Sequence, residues 1–533
     1  MDSYVDSRER RIIRRIALGD NLTRAARVHD EAIALVDGGE RLGYAALEAQ
    51  ANQFAHHLRG SGLPAGSKVA MLATNSIEFL VACYGIFKAG MVWVPVNHML
   101  SADDVRYVLE HAEAALVLVD DAIHDRPELR AMLDALALPV LRLRPGRGAD
   151  EATPLRQVLQ GQPCTEPAAD IGDNDLSLIM YTSGTTGRQK GVMHSHLSVH
   201  SALASNVAES GITRDSVCMA MLPLFHCAQF AMTAAALLTG ARVVVLRGFD
   251  AERLLDTIEH ERITHLTGLP LMYAALLASP TRASRDLSSL VQCSYGMAPM
   301  PRPMLERLIA EFCPHFSLGT GQTEVFPVTA RFRSDQQLKR FGNYWGQATM
   351  VNDLAVMDDE GRLLGPGEIG EIVHRGPNVM LGYYKDPEAT AAVSRFGWHH
   401  TGDIGMFDAD RQLLFLDRKK DVIKTGGENV PSIKVEEVLL RHPAVANAAV
   451  VGLAHVRWGE AVSAFVTLKP GMAASADELR AFCLQQLGGF EAPKAVRVLQ
   501  ELPMTSTGKI QKHRLKTAFS DLYGQDAFNG PNP

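Results

Sequence analysis

Short apolar runs alternate with longer stretches of helical spacing along much of this chain, and that alternation constrains the fold most. Lys68-Val69-Ala70-Met71-Leu72 reads as a buried strand, 77–87 as a helix, and Val92-Trp93-Val94-Pro95-Val96 as the next strand. A helix over 102–111 leads into a third strand, Ala115-Leu116-Val117-Leu118-Val119. Upstream, Tyr44-Ala45-Ala46-Leu47 opens a helix that runs through 53–57. Downstream the pattern resumes with a strand over 241–246, a helix over 251–260 and a strand over 263–266. Strands that read as continuous apolar runs are buried on both faces, and interleaved helices supply the cover. The chain is therefore predicted to be α/β, with parallel sheets wrapped by helices. From 353 to 384 the texture changes. Gly365-Pro366-Gly367-Glu368-Ile369-Gly370-Glu371-Ile372-Val373 predicts short strands and glycine turns, a small β-rich subdomain.

At 533 residues the chain has room for roughly three or four folding units, or for two lobes if several units merge. Residues 144–175 read as a surface connection rich in Gly, Pro, Asp and Gln. The charged run Asp417-Arg418-Lys419-Lys420-Asp421 follows a strand over 412–416 and precedes about a hundred residues, a typical small-domain size. By composition alone it reads as a solvated turn. The net charge of −7 argues against a nucleic-acid binder. Seven scattered cysteines without a C-x-x-C pair read as reduced thiols, which predicts a cytoplasmic protein. No signal-peptide pattern opens the sequence. The basic stretch 8–16 reads as a solvated helix face, with a loose membrane-surface contact as the alternative. No run reaches the ~18 apolar residues needed to span a bilayer. The apolar stretch 81–94 is interrupted by Lys88 and Gly90.

The apolar lead-in 176–180 ends in Tyr181-Thr182-Ser183-Gly184-Thr185-Thr186-Gly187-Arg188-Gln189-Lys190-Gly191. Glycines let backbone N–H groups approach an anion, and the hydroxyls add donors. The spacing is not that of a Walker loop. A Gly/Ser/Thr turn alone is ordinarily a plain loop, but the whole string closely resembles the phosphate loop of the adenylate-forming superfamily, which includes the acyl-CoA synthetases. Thr182, Ser183, Gly184, Thr185, Thr186, Gly187 and Lys190 are then expected at ATP.

Further motifs resemble the same family in the family's order. Leu222-Pro223-Leu224-Phe225-His226 matches a motif at the acyl pocket. The resemblance implies that His226 borders the carboxylate, with Cys227, Gln229, Phe230, Met297 and Pro327 as further pocket candidates. Gly296-Met297-Ala298-Pro299 resembles the turn that flanks adenine and the acyl group. Thr320-Gly321-Gln322-Thr323-Glu324 resembles a nucleotide motif that usually begins with an aromatic, and Thr320 departs from it. Glu324, with Thr185, is the expected Mg²⁺ ligand, since a carboxylate beside phosphates suits a hard cation. The bland alternative for Glu324 is an acid at a helix N-terminus. Thr401-Gly402-Asp403 resembles the ribose-binding motif, and is otherwise ordinary turn chemistry. Arg418 matches the family arginine at the ribose or phosphate.

Lys420 matches the family hinge. The resemblance therefore implies an N-terminal AMP-binding lobe over 1–416, a hinge over 417–420, and a small mobile α/β lobe over 421–533. Lys424-Thr425-Gly426-Gly427-Glu428-Asn429 resembles the loop that lines the pantetheine tunnel, which places Lys424, Gly426, Gly427 and Glu428 at coenzyme A. Trp458, in Arg457-Trp458-Gly459-Glu460, fits the same lobe or the core. Pro503-Met504-Thr505-Ser506-Thr507-Gly508-Lys509-Ile510 aligns Lys509 with the lysine that contacts the carboxylate and α-phosphate.

The function these motifs imply is an ATP-dependent acyl-CoA ligase. It uses Mg²⁺, with ATP and coenzyme A as co-substrates, and releases AMP and pyrophosphate. A homodimer is compatible with the family. The pocket candidates lack a lysine or arginine, which disfavours a dicarboxylic substrate. A medium- or long-chain fatty acid is expected, with a benzoate- or cinnamate-type acid as the alternative. Delivery to another acceptor is a further alternative. No G-G-x-S attachment site precedes Pro533, so a carrier protein would be separate. A binding protein with a dead site is disfavoured, because Thr185, Glu324, Asp403, Arg418 and Lys509 all stand in matching contexts.

Overall fold

The computed structural model describes residues 12–144, 154–182, 189–296, 300–340, 342–504 and 510–523. Contacts divide these into two compact units. The first holds the described residues of Met1–Ser183, Gln189–Leu354 and His374–His399; the second holds those of Ala355–Val373 and His400–Pro533. The β-rich stretch expected over 353–384 is thus shared between the units.

The first unit is built on two helix-covered sheets. One runs in the order Gly382–Tyr383, Lys190–Ser195, Leu176–Thr182, Val92–Pro95, Lys68–Leu72, Ala114–Val119, Val140–Arg142. Its pairings from Leu176–Thr182 to Val140–Arg142 are parallel, and the two at the other end are antiparallel. The second sheet has a parallel centre formed by Phe316–Gln322, Gln292–Tyr295, His265–Gly268, Val217–Ala220, Arg242–Val245 and Ile33–Asp37. Antiparallel partners flank that centre: Val325–Phe332 on one side and Glu40–Gly43 on the other. The α/β expectation holds. The strand predicted at 263–266 begins two residues later, because Thr264 uses its hydroxyl to accept the Val217 N–H at 2.8 Å.

The helix Ile77–Lys88 shows why this unit is stable. It is apolar all round, and every residue in it is buried. Ser76 starts it by accepting the Phe79 N–H at 3.0 Å. Phe79 and Phe87 meet Trp93 edge-on at 5.8 and 6.1 Å between ring centres. Lys88, which breaks the apolar run in the sequence, is 5% exposed. In the core it pairs with Glu48 at 2.8 Å and donates to the Thr23 hydroxyl at 2.6 Å. Gly85 lets this helix lie against the helix Tyr44–Gly60: a Cβ there would sit 2.7 Å from Phe54 Cδ1 and 3.1 Å from the Ala51 carbonyl oxygen. Alanine at 85 would gain about 1 kcal/mol of helix propensity, but overpacking costs about 1–3 kcal/mol. Gly85→Ala is therefore expected to lower the urea midpoint by the equivalent of up to about 2 kcal/mol. A raised midpoint would show that the helices separate freely.

The second unit contains a sheet ordered Glu428–Val430, Ile423–Thr425, Gly459–Leu468, Val445–His455, with Ala495–Val498 parallel to Gly459–Leu468. The helices Ser432–Leu440, Ala476–Leu484 and Lys512–Ala518 belong to the same unit. Its charged run is not a wholly solvated turn. Asp417 and Arg418 complete the strand Leu413–Arg418, and Asp417 is 1% exposed. Its carboxylate accepts the Ser432 N–H at the start of a helix, an otherwise orphaned donor. Only Lys419, Lys420 and Asp421 form the turn. Among the described residues of 144–175, the connection contains one short helix, Pro154–Leu159. Among the described residues, no helix is long and apolar enough to cross a membrane, and no cysteine is in a disulfide.

Candidate active site

In the first unit the site is built where several strands end. Leu176–Thr182 leads into the glycine-rich string and Lys190–Ser195 leaves it, with Thr182 opposite Lys190 in antiparallel register. Ser183, Gly184, Thr185, Thr186 and Gly187 lie outside the described residues, as do Met297, Ala298 and Lys509. Lys190 Nζ lies 4.6 Å from the centre of the Tyr383 ring. Tyr383 is brought there by the two-residue strand Gly382–Tyr383, which pairs with Met193 and Val192.

Tyr383 in turn holds Glu324. Its hydroxyl donates to Glu324 Oε1 at 3.0 Å. Burial, reinforced by the Glu324 charge, pushes the Tyr383 phenol well above its ordinary value, so it remains a donor. Thr323 and Glu324 form the tip between Phe316–Gln322 and Val325–Phe332, a β-hairpin. The alternative of a helix N-terminal acid is thereby corrected. The Glu324 carbonyl accepts the Met380 N–H at 2.9 Å, and the Thr323 carbonyl accepts from His194 Nε2 at 2.7 Å. Burial lowers the His194 pKa to about 4, so the ring is neutral and its Nε2–H is committed to that bond. Glu324 is half-buried. A partly accessible carboxylate beside the Thr323 hydroxyl is a hard-oxygen set that fits Mg²⁺.

Cys227 reaches the same tip, and His226 precedes it. His226 caps the helix Cys227–Thr239, its Nδ1 accepting the Ala228 N–H at 3.3 Å. Cys227 Sγ lies 3.7 Å from Thr323 Oγ1 and 3.8 Å from His226 Nδ1. Gln229 and Phe230 are each 1% exposed. Gln229 accepts the Leu222 N–H at 3.1 Å and donates to Thr233, while Phe230 packs 4.7 Å from Trp93. Pro327 abuts Gly321, where a Cβ would come within 2.7 Å of Pro327 Cβ. Thr320 pairs with Ala330 and bonds its carbonyl at 3.4 Å, and Gln322 faces Val325. Gly296 follows the strand Gln292–Tyr295, and a Cβ there would meet the Gly319 carbonyl at 3.1 Å.

In the second unit, Asp403 and Arg418 are directly opposite on the strands Trp398–Phe407 and Leu413–Arg418. Arg418 Nε lies 3.4 Å from Asp403 Oδ1. Thr401-Gly402-Asp403 is within a strand, which corrects its reading as a turn. Lys420 lies in the turn whose Asp421 N–H bonds the Arg418 carbonyl at 2.8 Å. Lys424, Gly426, Gly427 and Glu428 form a hairpin, with Lys424 opposite Asn429 and Thr425 opposite Glu428. Gly426 and Gly427 have φ of 61° and 90°, the paired left-handed values of a tight hairpin turn. The Gly426 N–H bonds the Trp458 carbonyl at 2.8 Å. Trp458 is half-buried and stacks on His455 at 4.2 Å, so it is no core residue.

Sequence reasoning missed Tyr383 and His194. Tyr383 sits 59 residues from the carboxylate it holds, in a strand of two residues. His194 is one residue of a strand whose apolar neighbours carry the periodic signal. Neither position has a local pattern that marks it.

Two family models match the chain: AMP-binding enzyme over residues 22–384, and AMP-binding enzyme C-terminal domain over 434–509. A feruloyl-CoA synthase from an Amycolatopsis species is 35% identical over 508 residues, covering 95% of this chain and 100% of the relative. A long-chain-fatty-acid–CoA ligase of Mycobacterium tuberculosis is 33% identical over 480 residues, covering 90% of this chain and 93% of its own. The crystal structure of ATP-bound MatB from Rhodopseudomonas palustris superposes with a TM-score of 0.85 at 30% identity, over 95% of this chain and 99% of that one. The chain belongs to the AMP-binding enzyme family, the adenylate-forming superfamily of the acyl-CoA synthetases.

Proposed function

We propose that this protein joins a carboxylic acid to coenzyme A at the expense of ATP, through an acyl-adenylate, as an AMP-forming acid–thiol ligase. The cluster of Lys190, Tyr383, Glu324 and Thr323 beside the glycine-rich string carries this reading. The substrate carboxylate is itself the nucleophile at the α-phosphorus, so no general base is required. What the protein supplies is orientation and charge neutralisation. Lys190 and the hydroxyl-rich string hold the phosphates. Lys509 meets the charge that develops as pyrophosphate leaves. Glu324, with Thr185, would hold Mg²⁺, which supplies neutralisation of the phosphate oxygens. Asp403 and Arg418 take the ribose. For the second half-reaction Lys420 acts as the pivot, and the Gly426-Gly427 hairpin guides the pantetheine arm. The coenzyme A thiol then attacks the acyl carbonyl and AMP departs.

We place the acid among monocarboxylates with an apolar body. His226, Cys227 and Pro327 offer no cation to a second carboxylate, and an unpaired buried charge is costly. Both a medium- or long-chain fatty acid and a cinnamate-type acid satisfy this, and relatives named for ferulate and for long-chain fatty acids support each. A panel of acetate, octanoate, palmitate, benzoate, cinnamate, ferulate and succinate, compared by kcat/KM, separates them. Each methylene that fits an apolar pocket contributes about 10-fold or more. A rise along the aliphatic series assigns a fatty acid, and a maximum at cinnamate or ferulate assigns the aromatic class. A preference for succinate over all of these would contradict the apolar-monocarboxylate reading.

A further inference from the structure

Glu371 is a buried carboxylate to which the mechanism above gives no part. It lies in the strand Gly370–Arg375, next to the strand Trp398–Phe407 that carries Asp403. It is 7% exposed. Its Oε1 accepts the Gly402 N–H at 3.0 Å. Its Oε2 lies 3.1 Å from His400 Nδ1 and 3.2 Å from Lys419 Nζ. These partners are the residues just before Asp403 and just after Arg418. The same strand grips the motif a second time. The Thr401 hydroxyl donates to the Ile372 carbonyl at 2.7 Å, and its oxygen accepts the Asp403 N–H at 3.0 Å.

The backbone explains why such a grip is needed. Gly402 has a φ of 72°, a left-handed residue inside a strand, and the ladder of pairs is irregular just beyond it, between Ile404 and Gly405. A kink of this kind takes the Gly402 N–H away from regular strand pairing, and a buried N–H needs an acceptor. The Glu371 carboxylate provides one. Burial alone would push Glu371 up toward protonation, but the His400 hydrogen bond and the Lys419 charge bring it below its ordinary value. It therefore remains an anion, and a charged acceptor makes the stronger bond. Loss of the carboxylate would take this acceptor from Gly402 and His400 and leave Lys419 with its 2.7 Å pair to Asp359. Asp403 and Arg418, held 3.4 Å apart on the two strands, would then lose their fixed aim.

We propose that Glu371 is a positioning residue for recognition of a nucleotide's ribose hydroxyls: it sets the Gly402 kink, and through it the direction of the Asp403 carboxylate. This rests on the reading that Asp403 takes the ribose. The test compares kcat/KM for ATP with that for 2′-deoxy-ATP and 3′-deoxy-ATP, using the full chain and one fixed acid. Wild type, Glu371→Ala, Glu371→Gln and Asp403→Ala are measured. Hydrogen bonds to a charged acceptor are worth about 10–100-fold, so wild type should prefer ATP by that factor over at least one deoxy analogue. Glu371→Ala should reduce the preference to within about 3-fold, chiefly by raising KM for ATP. Glu371→Gln, which keeps an acceptor for Gly402 but not the charge, should fall in between.

A role confined to stability would lower the active fraction and reduce all three nucleotides equally, leaving the ratio intact. An intact ratio in both Glu371 variants overturns the proposal. Should Glu371→Ala fail to fold, Glu371→Gln decides alone: a ratio reduced at least about 3-fold supports the proposal, and an unchanged one overturns it. A preference that survives Asp403→Ala, or is missing from wild type, defeats the ribose assignment itself. A preference lost in Asp403→Ala but kept in the Glu371 variants defeats only the role of Glu371.

Discussion

Lys509→Ala is expected to cut acid-dependent ATP–pyrophosphate exchange by about 100-fold or more, while transfer of a supplied acyl-adenylate to coenzyme A changes by less than about 3-fold. The asymmetry follows from where charge develops. In the first half-reaction negative charge builds on phosphate oxygens, and a cation placed there acts on the transition state more than on the ground state. In the second, AMP leaves a carbonyl and the same cation has no such task. The described residues on either side of 505–509 make defined contacts. Met504 and Ile510 bridge in antiparallel fashion, and half-buried Lys512 pairs with Glu436 at 2.8 Å and donates to Ser432 at 2.6 Å. Equal loss in both half-reactions would show that Lys509 serves a single arrangement of the protein.

Glu324→Gln is expected to reduce adenylation by about 100-fold and to shift the Mg²⁺ dependence to higher concentration. The amide preserves shape and can still accept from the Tyr383 hydroxyl, so the hairpin tip should survive. What disappears is the negative charge that suits a divalent cation. Tyr383→Phe is the companion variant. It leaves the charge and removes one neutral hydrogen bond, worth about 1 kcal/mol or roughly 5-fold. Unchanged Mg²⁺ dependence in Glu324→Gln would remove Glu324 as a ligand, whatever the loss in rate.

The scaffold of this site was largely legible from the sequence, because parallel strands buried on both faces leave continuous apolar runs. Lys68–Leu72, Val92–Pro95 and Ala114–Val119 all lie where those runs predict. The motifs also marked Thr323, Glu324, Asp403 and Arg418, though not their settings. The alternative for Glu324 is a helix N-terminal acid, whereas the hairpin tip is made by Val325–Phe332 pairing back onto Phe316–Gln322. Asp403 reads as a turn residue because Thr-Gly-Asp is turn chemistry, whereas its neighbouring strand draws the segment into a sheet. Asp417 looks solvated in a charged run, yet a helix start 15 residues away claims its carboxylate. Each of these differences is set by a partner distant in sequence, which local pattern cannot specify.

The most direct test of the central claim is release of AMP from ATP by the purified protein, measured with and without a carboxylic acid and with and without coenzyme A. The account predicts sustained AMP release only when both are present, with acyl-CoA formed in equal amount. Pyrophosphate that appears with acid alone, at a rate coenzyme A does not raise, would contradict it and assign the acyl group to a different acceptor.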